Sequence, residues 1–322
     1  MLQNKNSLLY EERINNKIPL LPPTASPVIP IRSISYSSVV WNDFNVKLHK
    51  TRQQQKVDSD WAAVYSIFIQ FNSLSDYVGG LSFAFEEDKD QEITDLIRFS
   101  FPIEGIERSE VSRWRKVYDL VAFVKTVTKL DHFLEAIRNL NITINFIQEI
   151  DSDEFKNLVR LRINNEIPLL IPATSPNIPI KSESYNAEKW LEYNKKLQKN
   201  RQQQKVNLDW AAVYSTFIQF DLLSDHVGSL SFTFEDDRNK KINSLIRMSF
   251  QMEGVKTETS RLRKIYDLVV IVKETIKKRN ISLETFLEHI RDLNITINYL
   301  QDVEPDLFKK LVNLSISKIK VN

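Results

Sequence analysis

The sequence predicts two α+β units in tandem, each a small antiparallel sheet of about three strands with helices packed on one face. Three observations support this fold class. The chain of 322 residues repeats itself once. Each copy contains short runs of alternating apolar residues, which are typical of strands, and longer runs with apolar residues at helical spacing. Strands joined by short turns and followed by helices are characteristic of α+β domains.

The duplication is visible as segments that recur with little change. The longest are residues 52–57 with 201–206, 60–66 with 209–215, and 141–145 with 294–298. The offset between the copies is 149 residues through most of the repeat and 153 residues near its end. We therefore divide the chain into repeat 1 (residues 1–155) and repeat 2 (residues 156–322), each large enough to bury its own core.

Each repeat opens with a proline-rich segment, residues 18–31 in repeat 1 and residues 167–180 in repeat 2. Proline fixes its own φ angle and biases the preceding residue toward extended geometry, so an extended N-terminal arm is predicted. The spacing Pro19-x-x-Pro22 is that of a polyproline II ligand. Because the intervening residues are Ile, Leu and Val, we expect the arm to pack on its own repeat.

A helix, three strands and two further helices are predicted in repeat 1. They are the helix 38–56, the strands 64–71, 81–85 and 99–103, and the helices 109–127 and 131–150. In the first helix, Trp41 and Leu48 are spaced to share one face. In the first strand, Tyr65 and Ile67 begin an alternation of period two. The helix 109–127 is apolar nearly all round in its middle, so we expect it to be the central buried helix.

The composition is that of an ordinary globular protein. Hydrophobic residues make up 42%, charged residues make up 27%, and the formal net charge is +2. A nearly neutral chain has no strong general attraction to nucleic acid or to anionic membranes. The chain contains no cysteine, which excludes disulfides and cysteine-containing zinc sites. With no bilayer-spanning apolar run and no secretory leader, we expect a cytoplasmic protein that has no membrane partner and no cofactor.

Histidine does not indicate a catalytic site shared by the two repeats. The four histidines are His49, His132, His226 and His289, and the matching positions of the other repeat hold Gln198, Thr285, Tyr77 and Ala136. A histidine-based general base or metal cluster used twice is therefore not expected. No catalytic residue and no metal ligand is predicted.

An acidic run suggests one enzymatic alternative, a metal-dependent nuclease. Glu86, Glu87 and Asp88 follow the second predicted strand, with Asp76 upstream and Lys89 next in the chain. Carboxylates on neighbouring strands could bind Mg²⁺, and a lysine could orient the attacking water. The simpler interpretation is a solvated turn, because acidic residues are common where a hairpin reverses direction.

Basic and amide side chains form the best candidate binding surface. In repeat 1 they are Arg52, Gln53, Gln54, Gln55, Lys56, Arg113, Arg115 and Lys116; in repeat 2 they are Arg201, Gln202, Gln203, Gln204, Lys205, Arg261, Arg263 and Lys264. Guanidinium groups and amides on a helix could bind phosphates, which is the basis of a nucleic-acid-binding alternative. Nearby acids such as Asp58 and Asp60 oppose it.

These observations favour a non-catalytic binding, adaptor or regulatory protein with two similar docking surfaces. A protein partner is the expected ligand, and nucleic acid is the alternative. Two linked sites raise avidity through effective concentration, which gives the duplication a physical use. The two units are also expected to pack as an intramolecular pseudo-dimer, as a duplicated homodimer would.

Overall fold

The computed structural model describes residues 10–15, 21–29, 36–101, 108–160, 170–178, 185–250 and 256–319. Within these ranges the chain is mostly helical and contains no β-strand. The prediction of an α+β fold with antiparallel sheets is therefore wrong. The described chain is all-α, and none of its helices is both long and apolar enough to cross a membrane.

The described helices fall into two similar series. The first is α1 (Ser38–Gly79), α2 (Glu86–Ser100), α3 (Arg108–Val127), α4 (Leu130–Ile137), α5 (Ile144–Glu149) and α6 (Ser152–Arg160). The second is α7 (Ala187–Gly228), α8 (Glu235–Ser249), α9 (Lys256–Lys278), α10 (Leu283–Ile290), α11 (Ile297–Asp302) and α12 (Pro305–Ser317). The duplication of the sequence thus reappears as a duplication of helices.

The first predicted strand lies inside α1, a helix of 42 residues that begins where the helix 38–56 was predicted. Residues 63–64 and 66–71 are all buried, so this part of α1 needs no polar face. The apparent period of two arises because Ser66 and Gln70 are polar but fully buried. Ser66 satisfies its hydroxyl within the helix by donating to the carbonyl of Ala63 at 3.0 Å.

The second and third predicted strands are also absent. Residues 81–85 form the short link between α1 and α2. Leu81 and Phe85 are 37% and 69% exposed, so their alternation does not mark a buried sheet face. Of the third predicted strand, Phe99 belongs to the end of α2 and Ile103 lies outside the described residues.

The two closing helices were predicted with different success. The helix 109–127 is confirmed as α3, and Val117, Val121 and Val124 in its middle are completely buried. The predicted helix 131–150 is divided into α4, a short 3₁₀ turn and α5. It breaks at Asn141, whose φ of 50° is left-handed, a conformation that Asn tolerates better than most residues.

The chain divides into two compact units that do not coincide with the two repeats. Unit 1 comprises residues 1–50 and 202–322, and unit 2 comprises residues 51–201. Both boundaries fall inside a long helix, α1 in the first case and α7 in the second. Each unit therefore combines the N-terminal part of one repeat with the remainder of the other. We call residues 51–160 body 1 and residues 202–319 body 2.

Each hydrophobic core likewise combines residues of both repeats. Trp41 of repeat 1 is fully buried among residues of body 2, including Trp210 and Phe217. Its counterpart Trp190 is fully buried in unit 2, in the core that contains Trp61. A tryptophan of this kind contributes several kcal/mol to stability, since truncating a buried Trp to Ala costs about 3–5 kcal/mol.

The proline-rich segments are extended where they are described, and we call these parts arm 1 (residues 21–29) and arm 2 (residues 170–178). Ile29 of arm 1 is buried in the core of unit 1, and Ile178 of arm 2 in the core of unit 2. The expectation that each arm packs on its own repeat is wrong. Each arm belongs to the unit that contains the body of the other repeat.

Candidate functional site

Arm 1 lies in a groove on body 2 that recognises it mainly through the backbone. Gln203 Nε2 donates to the carbonyl of Pro22 at 2.7 Å, and Asn207 Oδ1 accepts from the amide of Thr24 at 2.9 Å. Asn294 Nδ2 donates to the carbonyl of Leu21 at 3.1 Å. One side chain of the arm is also bound, because Trp210 Nε1 donates to Ser26 Oγ at 3.1 Å. We call these residues of body 2 the groove of body 2.

The groove of body 1 binds arm 2 with three equivalent residues. Gln54 Nε2 donates to the carbonyl of Ile171 at 2.9 Å, and Asp58 Oδ1 accepts from the amide of Ala173 at 2.8 Å. Trp61 Nε1 donates to Ser175 Oγ at 3.3 Å. The remaining contact with arm 2 comes from Arg138, whereas an asparagine at a different position makes it in the other groove.

Arg138 Nη2 donates to the carbonyls of Pro172 and Ala173 at 2.6 Å and 2.8 Å. A guanidinium is suited to such double donation. The segments of three glutamines, residues 53–55 and 202–204, therefore have a structural role, because Gln54 and Gln203 each donate a hydrogen bond to an arm. Neither hydrogen bond could be predicted from local sequence, because the carbonyl that accepts it lies more than 100 residues away in the chain.

Unit 2 contains an open cleft of about 590 Å³. Apolar side chains line part of it, and Phe101 and Trp114 stack there with ring centroids 4.5 Å apart and planes 7° apart. Lys56, Asp60 and Arg201 provide charged groups in the same cleft. Arg201 donates to Asp60 at 2.7 Å, whereas Lys56 has no salt-bridge partner among the described residues.

Unit 1 has a smaller cleft of about 310 Å³, which lies beside arm 1 and shares three lining positions with the unit 2 cleft. Lys205, Asp209 and Thr296 line it, and they correspond to Lys56, Asp60 and Thr143 of the unit 2 cleft. The two threonines also have a local structural role, because Thr143 and Thr296 are the N-caps of α5 and α11. The clefts differ in their apolar lining, because Leu21, Pro23 and Trp210 line the unit 1 cleft, whereas Phe101 and Trp114 line the unit 2 cleft.

The structure brings part of the sequence-predicted site together in the unit 2 cleft. Lys56 and Arg201 both line it, although they come from different repeats. Arg115 is instead paired with Asp90 and Asp119 at 2.8 Å and 3.1 Å. Lys116 donates to the carbonyl of Gln148 at 3.2 Å. The basic residues around Trp114 thus serve mainly to connect α3 to its neighbours.

The remaining sequence-predicted residues are spread over helix surfaces. Arg263 repeats the role of Arg115, with Asp267 at 3.0 Å and Asn239 at 2.9 Å. Of the others, Gln53, Gln202, Gln204, Arg113 and Arg261 are exposed, and Arg52, Gln55 and Lys264 are half-buried. Gln202 also lines the unit 1 cleft, beside Lys205.

Two tyrosines, the half-buried Tyr36 and the buried Tyr185, link the start of each long helix to the opposite repeat. The Tyr36 hydroxyl contacts Ser249 Oγ, and the Tyr185 hydroxyl contacts Ser100 Oγ. Burial raises the pKa of Tyr36 and of Tyr185, and the serine contact opposes part of the rise. Both phenols therefore stay protonated at neutral pH and act as hydrogen-bonding groups.

The acidic run lies in the first turn of α2, where carboxylates interact favourably with the helix dipole. Glu86 accepts from Lys89 at 2.7 Å, and Asp76, near the end of α1, forms an ion pair with Lys125. Among the described residues no group of three or more His, Cys, Asp or Glu side chains could hold a metal ion.

Several cleft residues were missed by sequence reasoning. Asn145 and Asn194 line the unit 2 cleft, and Asn194 Nδ2 donates to the fully buried Gln70 at 3.4 Å. Asp60 was considered only as a neighbour that opposes phosphate binding. The available signal was the conserved spacing of Lys56 and Asp60, which returns as Lys205 and Asp209.

Comparison with known proteins adds no further assignment. No family model, curated protein or solved structure matches the chain.

Proposed function

We propose that the protein is a cytoplasmic binding protein, without catalytic activity, that docks protein partners at the clefts of its two units. The observation that carries this proposal is the repeated set of a lysine, an aspartate and a threonine in both clefts. A structural role alone does not require, at equivalent positions, an exposed lysine that forms no salt bridge within the described part of the chain. The further packing of the two units as a pseudo-dimer stays a prediction.

The unit 2 cleft supports a partner segment of mixed character. Ile67, Trp114 and Ile144 offer apolar contact area inside the cleft. Lys56 and Arg201 carry two positive charges against the single negative charge of Asp60. The expected ligand therefore inserts an aromatic or aliphatic side chain beside Trp114 and places a carboxylate near Lys56. Buried aromatic anchors with charged rims are typical of energetically important sites in protein interfaces.

Nucleic acid is a weaker candidate for these surfaces. Binding to phosphates depends on cations that are free to replace counterions. Arg115, Arg201 and Arg263 are each paired with a carboxylate, so three of the guanidinium groups are largely neutralised. Lys56 and Lys205 in the clefts and the exposed Arg113 and Arg261 remain, but within each unit these cations are accompanied by Asp60 or Asp209 in the cleft.

Trp114 allows the proposal to be tested by fluorescence. It is half-buried, whereas Trp41, Trp61, Trp190 and Trp210 are at most 2% exposed. Peptides selected from a displayed random library on the full chain are expected to combine an aromatic or aliphatic residue with Asp or Glu. Their binding is expected to protect Trp114 from quenching by acrylamide.

Substitutions in and beside the unit 2 cleft test whether the peptides bind specifically in that cleft. Trp114→Ala and Lys56→Glu are expected to weaken peptide binding about tenfold or more. Arg113→Ala is the matched control, because Arg113 is exposed, adjacent to Trp114 and outside the cleft. If no peptide is selected, and RNA or DNA is retained in a salt-dependent manner that Lys56→Ala abolishes, the protein-docking proposal fails in favour of nucleic-acid binding.

A further inference from the structure

We propose that the groove of each body is a binding site for the arm of a second copy of this chain, so that two molecules can exchange arms. The ligand is an extended proline-containing segment with serine directly before proline, as in Ser26-Pro27 and Ser175-Pro176. The inference rests on the arm contacts rather than on the proposed docking of partners, although Trp210 and Asn294 of the body 2 groove also line the unit 1 cleft.

The chemistry of the groove does not distinguish one arm from the other. Gln203 and Gln54 donate to backbone carbonyls, and Asn207 and Asp58 accept from backbone amides. Every arm of every copy presents such groups. The one shared side-chain contact, from tryptophan to serine, is present in both arms. An arm that fits one groove therefore has the hydrogen-bonding groups to fit the other.

Each arm and the body of its own repeat belong to different units. Arm 1 and residues 36–50 belong to unit 1, whereas the rest of α1 belongs to body 1 in unit 2. In the structure each groove therefore holds an arm that comes from the other repeat, more than 100 residues away in the chain.

In the intact chain the arm of each repeat occupies the groove of the other repeat. Their covalent connection gives each arm a high effective concentration near the groove of the other repeat. A second molecule therefore competes with this intramolecular ligand only when the protein concentration is high. Once the connection between the repeats is cut, the arm and the groove become ordinary binding partners, and a second copy of the same repeat is then an equivalent source of either.

The test uses the full chain with a protease site inserted within residues 161–169, between α6 and arm 2. The folded protein is cut, and its circular dichroism and elution volume are expected to match those of the uncut protein. Cut protein with a C-terminal affinity tag is then incubated with cut protein without a tag. Capture of the tag is expected to recover untagged C-terminal pieces as well as N-terminal pieces, because arm 2 of one copy occupies the groove of body 2 in another.

Groove variants of the same cut protein separate this proposal from nonspecific association. Gln203→Ala combined with Trp210→Phe removes two donors and is expected to lower recovery of untagged C-terminal pieces about tenfold. Gln204→Ala, at the exposed neighbouring position, is expected to leave recovery unchanged. The proposal is overturned if the tagged piece recovers only N-terminal pieces, if the cut halves separate, or if both variants behave alike.

Discussion

The indole Nε1 of Trp210 donates a hydrogen bond of 3.1 Å to the hydroxyl of Ser26, a residue 184 positions earlier in the chain. The same bond joins Trp61 to Ser175 at 3.3 Å, with 114 positions between them. The first bond runs from repeat 2 back to repeat 1, and the second runs from repeat 1 forward to repeat 2. Together they define the exchange of arms, and they make it accessible to simple experiments.

A disulfide provides a direct test of the exchange, because the chain has no cysteine of its own. The Thr24 amide donates to Asn207 Oδ1 at 2.9 Å, so Thr24→Cys with Asn207→Cys is expected to form an intramolecular disulfide on oxidation. The control is Thr24→Cys with Asp58→Cys, since Asp58 is the equivalent position in body 1 but binds Ala173. Mass spectrometry of monomer after mild oxidation distinguishes the two, and efficient crosslinking of the control pair would contradict the exchange.

Removing a serine acceptor is expected to loosen one arm at a time. Ser26→Ala leaves the buried Trp210 Nε1 without its hydrogen-bond partner and should cost about 1–2 kcal/mol of stability in unit 1. Ser175→Ala should do the same in unit 2. The measurement is urea unfolding together with proteolysis of the arm. Thr24→Ala is the control, because Thr24 binds through its backbone amide; an equal loss in that variant would rule out the tryptophan contact as the cause.

The raised pKa values of Tyr36 and Tyr185 predict a loss of stability at alkaline pH. Burial raises the pKa of Tyr36 and Tyr185 above the usual value of 10.0, so the folded state holds these protons more tightly than the unfolded state. Their contribution is fully present below about pH 10 and is lost as the pH rises through the folded-state pKa values. The double variant Tyr36→Phe with Tyr185→Phe is expected to flatten the decline of the unfolding free energy above pH 10. An unchanged slope would show that other groups control it.

The same tyrosines should matter at neutral pH for a different reason. Tyr185→Phe removes the hydroxyl that contacts Ser100, whose own hydroxyl still donates to the carbonyl of Leu96 at 2.7 Å. A loss of about 1 kcal/mol is expected, since a buried hydrogen bond disappears but Ser100 keeps a partner. Thermal unfolding measures it. Tyr77→Phe is the comparison, because Tyr77 is 39% exposed and should tolerate the change; a larger loss there than in Tyr185→Phe would contradict this account.

The break between α4 and α5 should depend on the left-handed residue Asn141. Its φ is 50°, a value that glycine adopts freely and that a β-branched residue adopts only with strain. Asn141→Gly is expected to change stability little, whereas Asn141→Val should cost about 1–2 kcal/mol. Chemical denaturation of the two variants provides the comparison. If valine were tolerated as well as glycine, the break would be held by Thr143 and its cap on α5 rather than by the backbone of Asn141.

Local patterns in the sequence predicted some elements well. The helix α3 and the extended arms follow from apolar spacing and from proline chemistry, both of which depend on nearby residues. The prediction of the first strand was wrong because Ser66 and Gln70 are polar residues in the part of α1 that is buried almost all round. A pattern of polar and apolar residues cannot show that a polar side chain is buried, and there the period of two was misleading.

The exchange of arms could not be predicted from local sequence. Gln54 and Gln203 lie in identical segments, so either arm suits either groove. The pairing in the structure rests on contacts between residues more than 100 positions apart, which no local pattern contains. The candidate cleft was predicted in part: Lys56 and Arg201 were singled out as binding residues, whereas the contribution of Asn194 comes from the other repeat and has no local signal.

The exchange of arms also sets the order in which the protein can fold as it is synthesised. Unit 2 needs residues up to 201, so body 1 must wait for arm 2 and the first part of α7 to leave the ribosome. Arm 1 emerges long before its groove, which is complete only when Trp210 and Asn294 have been made. Contacts of such long range slow folding. The nascent chain therefore exposes apolar surface from Trp41 and arm 1 for most of its synthesis, and we expect its folding in the cell to depend on chaperones.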